Sequence, residues 1–184
     1  MPLKNHIPAT KNVKKNDTLS DLRPISNGMR VLAVDPGYDR LGVAVMEKTS
    51  GKEHLIHSCC ILTNKIDTVP ERIGELGSAL EVLIKKFKPD LVAIETLFFN
   101  KNLKTAVAVA EARGVVIYLA RKYKAEVHEF GPQEIKVAVT GYGKSDKRAV
   151  MDMLKRLVPN LPLRALDDEY DAIAVAVTAL AHHR

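Results

Sequence analysis

Short apolar runs alternate with polar segments along the chain, and this pattern predicts most of the secondary structure. Three such runs come first, over residues 30–35, 41–46 and 55–62. Their length and tight spacing are typical of strands joined as an antiparallel meander. The first run ends at Asp35-Pro36-Gly37, which cannot continue a strand because proline donates no ladder hydrogen bond.

A helical period begins in the segment 69–87. Apolar residues recur there every three or four positions, at Ile73, Leu76, Leu80, Leu83, Ile84 and Phe87. Pro89-Asp90 then breaks the chain, and the apolar run 91–94 predicts a buried strand that ends at Glu95. Beyond it the pattern predicts a helix over 103–123, a strand over 125–130, a short helix opened by Pro132, a helix capped by Ser145 that runs to 157, and a last helix from 168 onward.

This order of elements predicts an α/β fold. A meander followed by strand–helix–strand units implies a mixed five-stranded sheet flanked by helices on both faces. Residues 1–28 lack any period and are rich in Lys, Asn, Asp, Pro and Ser. We therefore expect residues 1–28 to be a disordered N-terminal arm or a segment left over from recombinant expression, and residues 29–184 to form a folded domain.

Composition narrows the class of protein. The chain has 184 residues, 46% of them hydrophobic, which suits one compact domain. A net charge of +6 fits a polyanionic partner, although many basic proteins bind none. The neighbouring Cys59 and Cys60 are poorly placed for a disulfide, so free thiols in a reducing compartment are expected. No apolar run reaches membrane-spanning length, and we expect a cytoplasmic protein without membrane contact.

Two acidic residues end apolar strands. Asp35 follows Val-Leu-Ala-Val, and Glu95 follows Leu-Val-Ala-Ile. A carboxylate at the mouth of a buried strand is costly unless it is paired, solvated or bound to a cation. If the two strands are neighbours, their carboxylates lie side by side, and a divalent cation would relieve the repulsion. Oxygen ligands of this kind suit Mg²⁺.

The last predicted helix adds two more acids. Asp168 and Asp171 are spaced i, i+3 and therefore lie on one helix face, ahead of a largely apolar stretch. Alternatives stay open: Asp167 or Asp168 is equally suited to an N-cap, and Asp35 to turn chemistry. Taken together, the four acids predict phosphodiester hydrolysis with two Mg²⁺ ions about 4 Å apart.

Basic and aromatic residues predict contacts with nucleic acid. Phe98 and Phe99 follow Glu95 in a loop that also holds Lys101, a combination that suits stacking on unpaired bases, and Phe98 is expected to be the exposed ring. A second cluster comprises Lys136, Lys144, Lys147 and Arg148. Lys144 and Arg148 lie one turn apart on the predicted helix, which suits either phosphate contact or a solvated surface. Lys147 is also placed to stabilise charge on a phosphate.

Small residues form a stripe on the predicted helix over 103–123. Ala106, Ala110 and Gly114 are spaced i, i+4, i+8. Such a stripe lets a second helix approach closely, and packing against the protein's own sheet explains it equally well.

Four motifs together resemble the RuvC family of Holliday junction resolvases. They are Val34-Asp35-Pro36-Gly37, Gly42-Val43-Ala44, Ile94-Glu95 and Asp168-x-x-Asp171-Ala172, in this order over residues 29–181. The stretch 110–115 and Gly141-x-Gly143, with Lys147 beyond it, add to the similarity. Each motif alone is weakly specific, whereas four in order at these separations are strongly specific.

The resemblance implies an RNase H-like fold, a homodimer and paired symmetric nicks across a four-way junction in homologous recombination and DNA repair. Asp35, Glu95, Asp168 and Asp171 match the family's metal-binding acids, which implies two Mg²⁺ ions with Mn²⁺ able to substitute. Phe98 falls where the family has an aromatic residue that stacks on junction bases. Lys136 and Lys147 match lysines near the scissile phosphate. The homodimer favours a two-fold contact through Ala106, Ala110 and Gly114.

Some features depart from the family pattern, and others leave the ligand residues, the partners or the function undecided. The arm over 1–28 is not a usual family feature, and Asp167 leaves open which two acids bind metal, although the spacing favours Asp168. A branch-migration helicase complex is a further candidate partner, which the sequence neither supports nor excludes. Two other functions remain as alternatives: an RNase H-like nuclease that processes ribosomal RNA precursors, and a non-catalytic junction-binding protein. The second would be expected to lack at least one acid.

Overall fold

The computed structural model describes residues 28–96 and 103–183, and the predicted strands and helices of these ranges are present. In chain order the elements are β1 (Met29–Asp35), β2 (Arg40–Thr49), β3 (Lys52–Leu62), α1 (Val69–Phe87), β4 (Leu91–Glu95), α2 (Leu103–Lys122), β5 (Glu126–Phe130), α3 (Pro132–Thr140), α4 (Lys147–Leu157) and α5 (Asp167–His182). The predicted N-terminal arm, apart from Gly28, lies outside the described residues.

The five strands form one mixed sheet in the order β3-β2-β1-β4-β5. The β1–β2 and β2–β3 pairs are antiparallel, whereas β1–β4 and β4–β5 are parallel. This confirms the predicted sheet. Because of these directions, the carboxyl ends of β1 and β4 and the amino end of β2 share one edge. We call it the carboxyl edge, defined by Asp35, Glu95 and Arg40.

Helices cover both faces of the sheet. On β1, Val31 and Ala33 pack in the cluster formed with α3, α4 and α5. The intervening Leu32 and Val34 pack in the cluster formed with α1 and α2. Since strand side chains alternate between faces, the next residue on the first side is Asp35, which therefore lies on the α5 face.

Helix α5 is the most deeply buried helix of the described fold. Nine consecutive residues, from Ala172 to Leu180, are buried, and they pack mainly over β2 and β1. A helix that is apolar on all sides belongs in a core. Its first turn, which is acidic, is thereby held at the carboxyl edge.

The start of α4 differs from the prediction. Asp146 caps this helix, since its Oδ1 accepts a 2.8 Å hydrogen bond from the Ala149 backbone N–H. Ser145 is buried, and its hydroxyl lies 2.7 Å from the Thr140 hydroxyl. The Ser145 cap is therefore wrong, and Lys144 lies in the preceding turn rather than on the helix with Arg148.

Two expectations from composition can be compared with the structure. Cys59 and Cys60 are free and half-buried on β3. Burial, the largest cause, raises the pKa of the Cys59 thiol to about 12, so it is protonated at neutral pH. Within residues 28–96 and 103–183, no helix is both long and apolar enough to cross a membrane.

Candidate active site

Asp35 and Glu95 meet at the carboxyl edge. Val34 is in register with Ile94 in the parallel β1–β4 pair, so the two acids occupy the next position of each strand. On β4, Leu91 and Ala93 pack on the α5 face, which places Glu95 on the same face as Asp35. The predicted side-by-side arrangement of strand-end acids is therefore present.

The electrostatics of Asp35 reflect a crowded acidic pocket. Its pKa is raised from 3.8 to about 7, first by burial and then by the charges of Glu95, Asp171 and Asp168, whereas the charge of Lys147 lowers it. Burial, followed by the charge of Asp171, also raises the pKa of Glu95. Like charges held close together in a poorly solvated site disfavour ionisation. These shifts show that the strand acids and the helix acids interact at one place.

Helix α5 brings Asp168 and Asp171 to this place. Leu166 is the N-cap, and no side chain caps the helix, so the N-cap role considered for Asp167 and Asp168 is wrong. The side chain of Asp167 is 75% exposed, whereas that of Asp168 is 27% exposed. The charge of Asp168, together with that of Asp171, contributes to the raised pKa of Asp35. This arrangement favours Asp168 and Asp171 as the ligand pair.

A close approach between β2 and α5 sets the position of these helix acids. A Cβ atom added to Gly42 would lie 1.8 Å from the backbone oxygen of Asp168. Glycine at this position therefore lets the first turn of α5 rest directly on the strand. The Ser58 hydroxyl on β3 also donates a 2.6 Å hydrogen bond to Glu169 of the same turn. The sequence shows Gly42 only as part of a motif. Its close contact with the start of α5 is visible only in three dimensions.

Lys147 is the predicted basic residue that reaches the acids. It is the first residue of α4, and its Nζ lies 3.2 Å from Asp171 Oδ2 and 3.2 Å from Asp167 Oδ2. An ammonium group here partly neutralises the acidic pocket, and the Lys147 side chain is 57% exposed.

The other predicted DNA contacts lie around this point or outside the described ranges. Lys144 and Arg148 are exposed beside the start of α4, and Lys136 is half-buried on α3. In the described part of the chain none of these three forms an ion pair with the four acids. Phe98 and Lys101 lie outside the described residues.

One residue near the acids, Arg40, was not predicted from the sequence. Its Nη1 lies 3.4 Å from Asp168 Oδ2 at the start of β2. The signal was available: Arg40 precedes Gly42 by two positions, so both side-chain positions lie on one face of the strand.

The acids fit a hard divalent cation in their chemistry. Four carboxylates offer oxygen ligands, and their mutual repulsion would be relieved by a cation. As placed, no three Asp, Glu, His or Cys side chains among residues 28–96 and 103–183 form a ready-made cage for an ion. Mg²⁺ commonly uses one or two carboxylates together with waters and phosphate oxygens, so a complete protein cage is not required.

The acidic pocket predicts an unusual pH dependence of stability without metal. Asp35 binds its proton more tightly in the folded state, where its pKa is about 7 rather than 3.8. Its favourable contribution is therefore complete below about pH 4 and is lost as the pH rises through 7. In EDTA at pH 8 we expect Asp35→Asn to unfold with a free energy about 1–3 kcal/mol higher than the wild type, allowing for solvent screening.

Urea unfolding at a series of pH values measures this difference. The advantage of Asp35→Asn should shrink as the pH falls towards 4, and added Mg²⁺ should stabilise the wild type more than the variant at pH 8. An advantage that grows on acidification would contradict the assignment of Asp35 to a repulsive acidic pocket.

Comparison of the sequence with protein families gives one match over most of the chain. The model of the family described as "Crossover junction endodeoxyribonuclease RuvC" matches residues 31–179. The protein of that description from Petrotoga mobilis is 40% identical over 148 residues, which cover 80% of this chain and 91% of the relative. The Thermosipho melanesiensis protein is 40% identical over 149 residues, covering 80% and 94%.

Solved structures give a matching fold. Thermus thermophilus RuvC in complex with a Holliday junction substrate superposes with a TM-score of 0.79 at 29% identity, covering 85% of this chain and 95% of that one. The yeast mitochondrial Holliday junction resolvase has a TM-score of 0.62 at 15% identity, covering 88% and 83%, and this likeness concerns the fold alone. The predicted RNase H-like fold is confirmed.

Proposed function

Because the chain belongs to the RuvC family of crossover junction endodeoxyribonucleases, we propose that it resolves Holliday junctions by paired symmetric nicks, in homologous recombination and DNA repair. One observation carries the proposal: Asp35 and Glu95 end neighbouring strands in register, and the close approach of Gly42 to Asp168 brings the acidic start of α5 to the same edge. All four positions at which the family has metal-binding acids are acidic here, which argues against a non-catalytic junction-binding protein.

The four acids would hold divalent metal, and we propose two Mg²⁺ ions, with Mn²⁺ as a substitute. When bound, such ions supply an activated water and stabilise the leaving oxygen of the cut strand. The protein's own residues prepare this chemistry. The buried strand ends fix Asp35 and Glu95, the Gly42 contact fixes the start of α5, and Lys147 contributes a positive charge to stabilise the phosphate.

Basic residues near Lys147 in the sequence support junction binding. The exposed Lys144 and Arg148 lie next to Lys147, and Lys136 lies on α3, which packs against α4. Cations placed near the cut site position the phosphate backbone. We also propose that Phe98 stacks on an unpaired base, on the strength of the family motif, and that Lys101, close to it in sequence, contacts a phosphate. A branch-migration helicase complex is the partner proposed to deliver the junction.

A homodimer would place two sites on opposed strands, and the surface of α2 supports it. Ala110 and Gly114 are exposed, whereas Ala108 and Ala112 are buried against the fold. A Cβ added to Gly114 would meet no atom within 4 Å, so packing within the subunit does not account for this glycine. Ala106, the first residue of the stripe, is half-buried. The stripe therefore favours a two-fold helix contact.

Replacing Gly114 with glutamate should separate the subunits. We expect Gly114→Glu to sediment as a monomer at micromolar concentration, because a charge would be buried against its symmetry mate. Its nicks on opposed strands should become uncoupled. Gly74→Glu is a matched control, since Gly74 is also an exposed helical glycine with open space around it. Equal sedimentation of the two variants would refute the α2 interface.

A substrate panel tests the proposed function. The protein is incubated with a mobile four-way DNA junction, a linear duplex and a structured RNA, each with Mg²⁺ or with EDTA. We expect symmetric, ligatable nicks in the junction with Mg²⁺ and no comparable cutting of the other substrates. Preferential RNA cleavage would favour the ribosomal RNA processing alternative, and binding without cleavage would favour a non-catalytic protein.

A further inference from the structure

Arg40 lies at the carboxyl edge, where its side chain pairs with Asp168 at the start of α5. It is the first residue of β2, the strand whose amino end shares the carboxyl edge with Asp35 and Glu95. Ala44 and Met46 pack on the α5 face, so the alternation of β2 also places Arg40 on that face. Its side chain is 51% exposed and Nη1 stands 3.4 Å from Asp168 Oδ2.

Arg30 and Arg72 hold parts of the fold together through several contacts, whereas Arg40 does not. Arg30 bonds to Glu47 through two nitrogens and to the Phe87 backbone oxygen through a third. Arg72 is buried, donates to Asp39 and Thr63, and lies over the Tyr38 ring. Among the described residues, Arg40 has one ion-pair partner, Asp168, and their distance of 3.4 Å is longer than that of a typical N–H···O hydrogen bond.

The acids are flanked by cations on two sides. Lys147 contacts Asp167 and Asp171 from α4, and Arg40 contacts Asp168 from β2. A guanidinium carries five donors in a planar fork that matches two phosphate oxygens. With one nitrogen near Asp168, the remaining donors of Arg40 are available at the mouth of the pocket.

We propose that Arg40 contacts a phosphate of the cleaved DNA strand on the β2 side of the site, across the acids from Lys147. This proposal rests on the proposed nuclease function. It assigns Arg40 to substrate binding at the site, in addition to balancing the charge of Asp168. Each phosphate contact releases condensed counterions from DNA, so the loss of Arg40 should alter the salt dependence of binding.

Single-turnover cleavage of a four-way junction at several salt concentrations tests the proposal. The protein concentration at half-maximal rate, K1/2, reports productive binding of the junction. For Arg40→Gln we expect K1/2 to rise about three- to tenfold. The slope of log K1/2 against the logarithm of the salt concentration should fall by about one. Arg40→Lys should retain most of the salt slope but not the full affinity, because lysine lacks the bidentate fork.

Lys52→Gln is the control, because it also removes one positive charge from an exposed position. Lys52 is the first residue of β3, whereas Arg40 lies beside the last residue of that strand. An unchanged salt slope in Arg40→Gln, or an equal change in Lys52→Gln, would overturn the proposal. So would a lower Mg²⁺ requirement with unchanged junction K1/2, which would limit Arg40 to neutralising Asp168. If the wild type cuts no junction, the proposed function fails instead, and the two failures are therefore distinguishable.

Discussion

Asp35→Asn should lower the single-turnover rate of junction cleavage at least about 10³-fold, equivalent to about 4 kcal/mol of activation free energy. Asparagine keeps the shape of the side chain but removes the negative charge with which Asp35 would bind a divalent cation, and metal ions contribute several kcal/mol to such reactions. Junction binding should persist, because the basic residues remain and one repelling carboxylate is gone. Cleavage and gel-shift assays with Mg²⁺ measure the two effects separately.

Asp152→Asn provides the matched control for this loss of charge. Asp152 is an exposed residue of α4 that pairs with Lys155 at 3.0 Å, and its charge is not among those that shift the pKa of Asp35 or Glu95. We expect it to cut at nearly the wild-type rate. Wild-type cleavage by Asp35→Asn would refute its role as a ligand, and parallel loss of binding and cleavage would indicate a damaged fold instead.

Gly42→Val should reduce cleavage by at least about 10²-fold without abolishing folding. A Cβ at this position would lie 1.8 Å from the Asp168 backbone oxygen, so β2 and the start of α5 must separate by more than about 1 Å. Misplacement of catalytic groups by this distance costs about 10²-fold in rate. Single-turnover cleavage, with thermal unfolding measured alongside, checks the prediction.

Two further substitutions separate this spacing effect from general damage. Gly42→Ala should show a similar but smaller loss of cleavage, because alanine adds only the Cβ, whereas valine also adds two methyl groups. Gly131→Ala should be nearly neutral, since a Cβ there meets no atom within 4 Å and the backbone φ is −75°. Full activity in a folded Gly42→Val protein would show that the close approach does not position the acids.

The strand-end acids could be predicted from sequence because each depends on a local pattern. Asp35 and Glu95 follow short apolar runs, and the alternation of side chains then places both on one face. The bounds of α1 also agree with the periodic pattern, Val69–Phe87. These features require little knowledge of distant contacts.

Other features depend on contacts between distant parts of the chain. Ser145 and Asp146 are both good caps, and the Thr140 hydroxyl decides between them by engaging Ser145. The approach of Gly42 to α5 joins residues far apart in sequence. The same holds for the exposure of Gly114, because α2 has small residues both on its buried side, at Ala108 and Ala112, and on its exposed side, and only packing shows which side is covered.

We propose that four acids distant in sequence bind the same metal ions. Crystals of the protein soaked with Mn²⁺ in place of Mg²⁺ test it directly, since anomalous scattering locates manganese among lighter atoms. We expect density at the carboxyl edge within about 2.0–2.6 Å of oxygens from Asp35, Glu95 and α5, with Asp168 rather than Asp167 as the first helix ligand. Manganese bound elsewhere, with this edge empty at saturating concentration, would contradict the account.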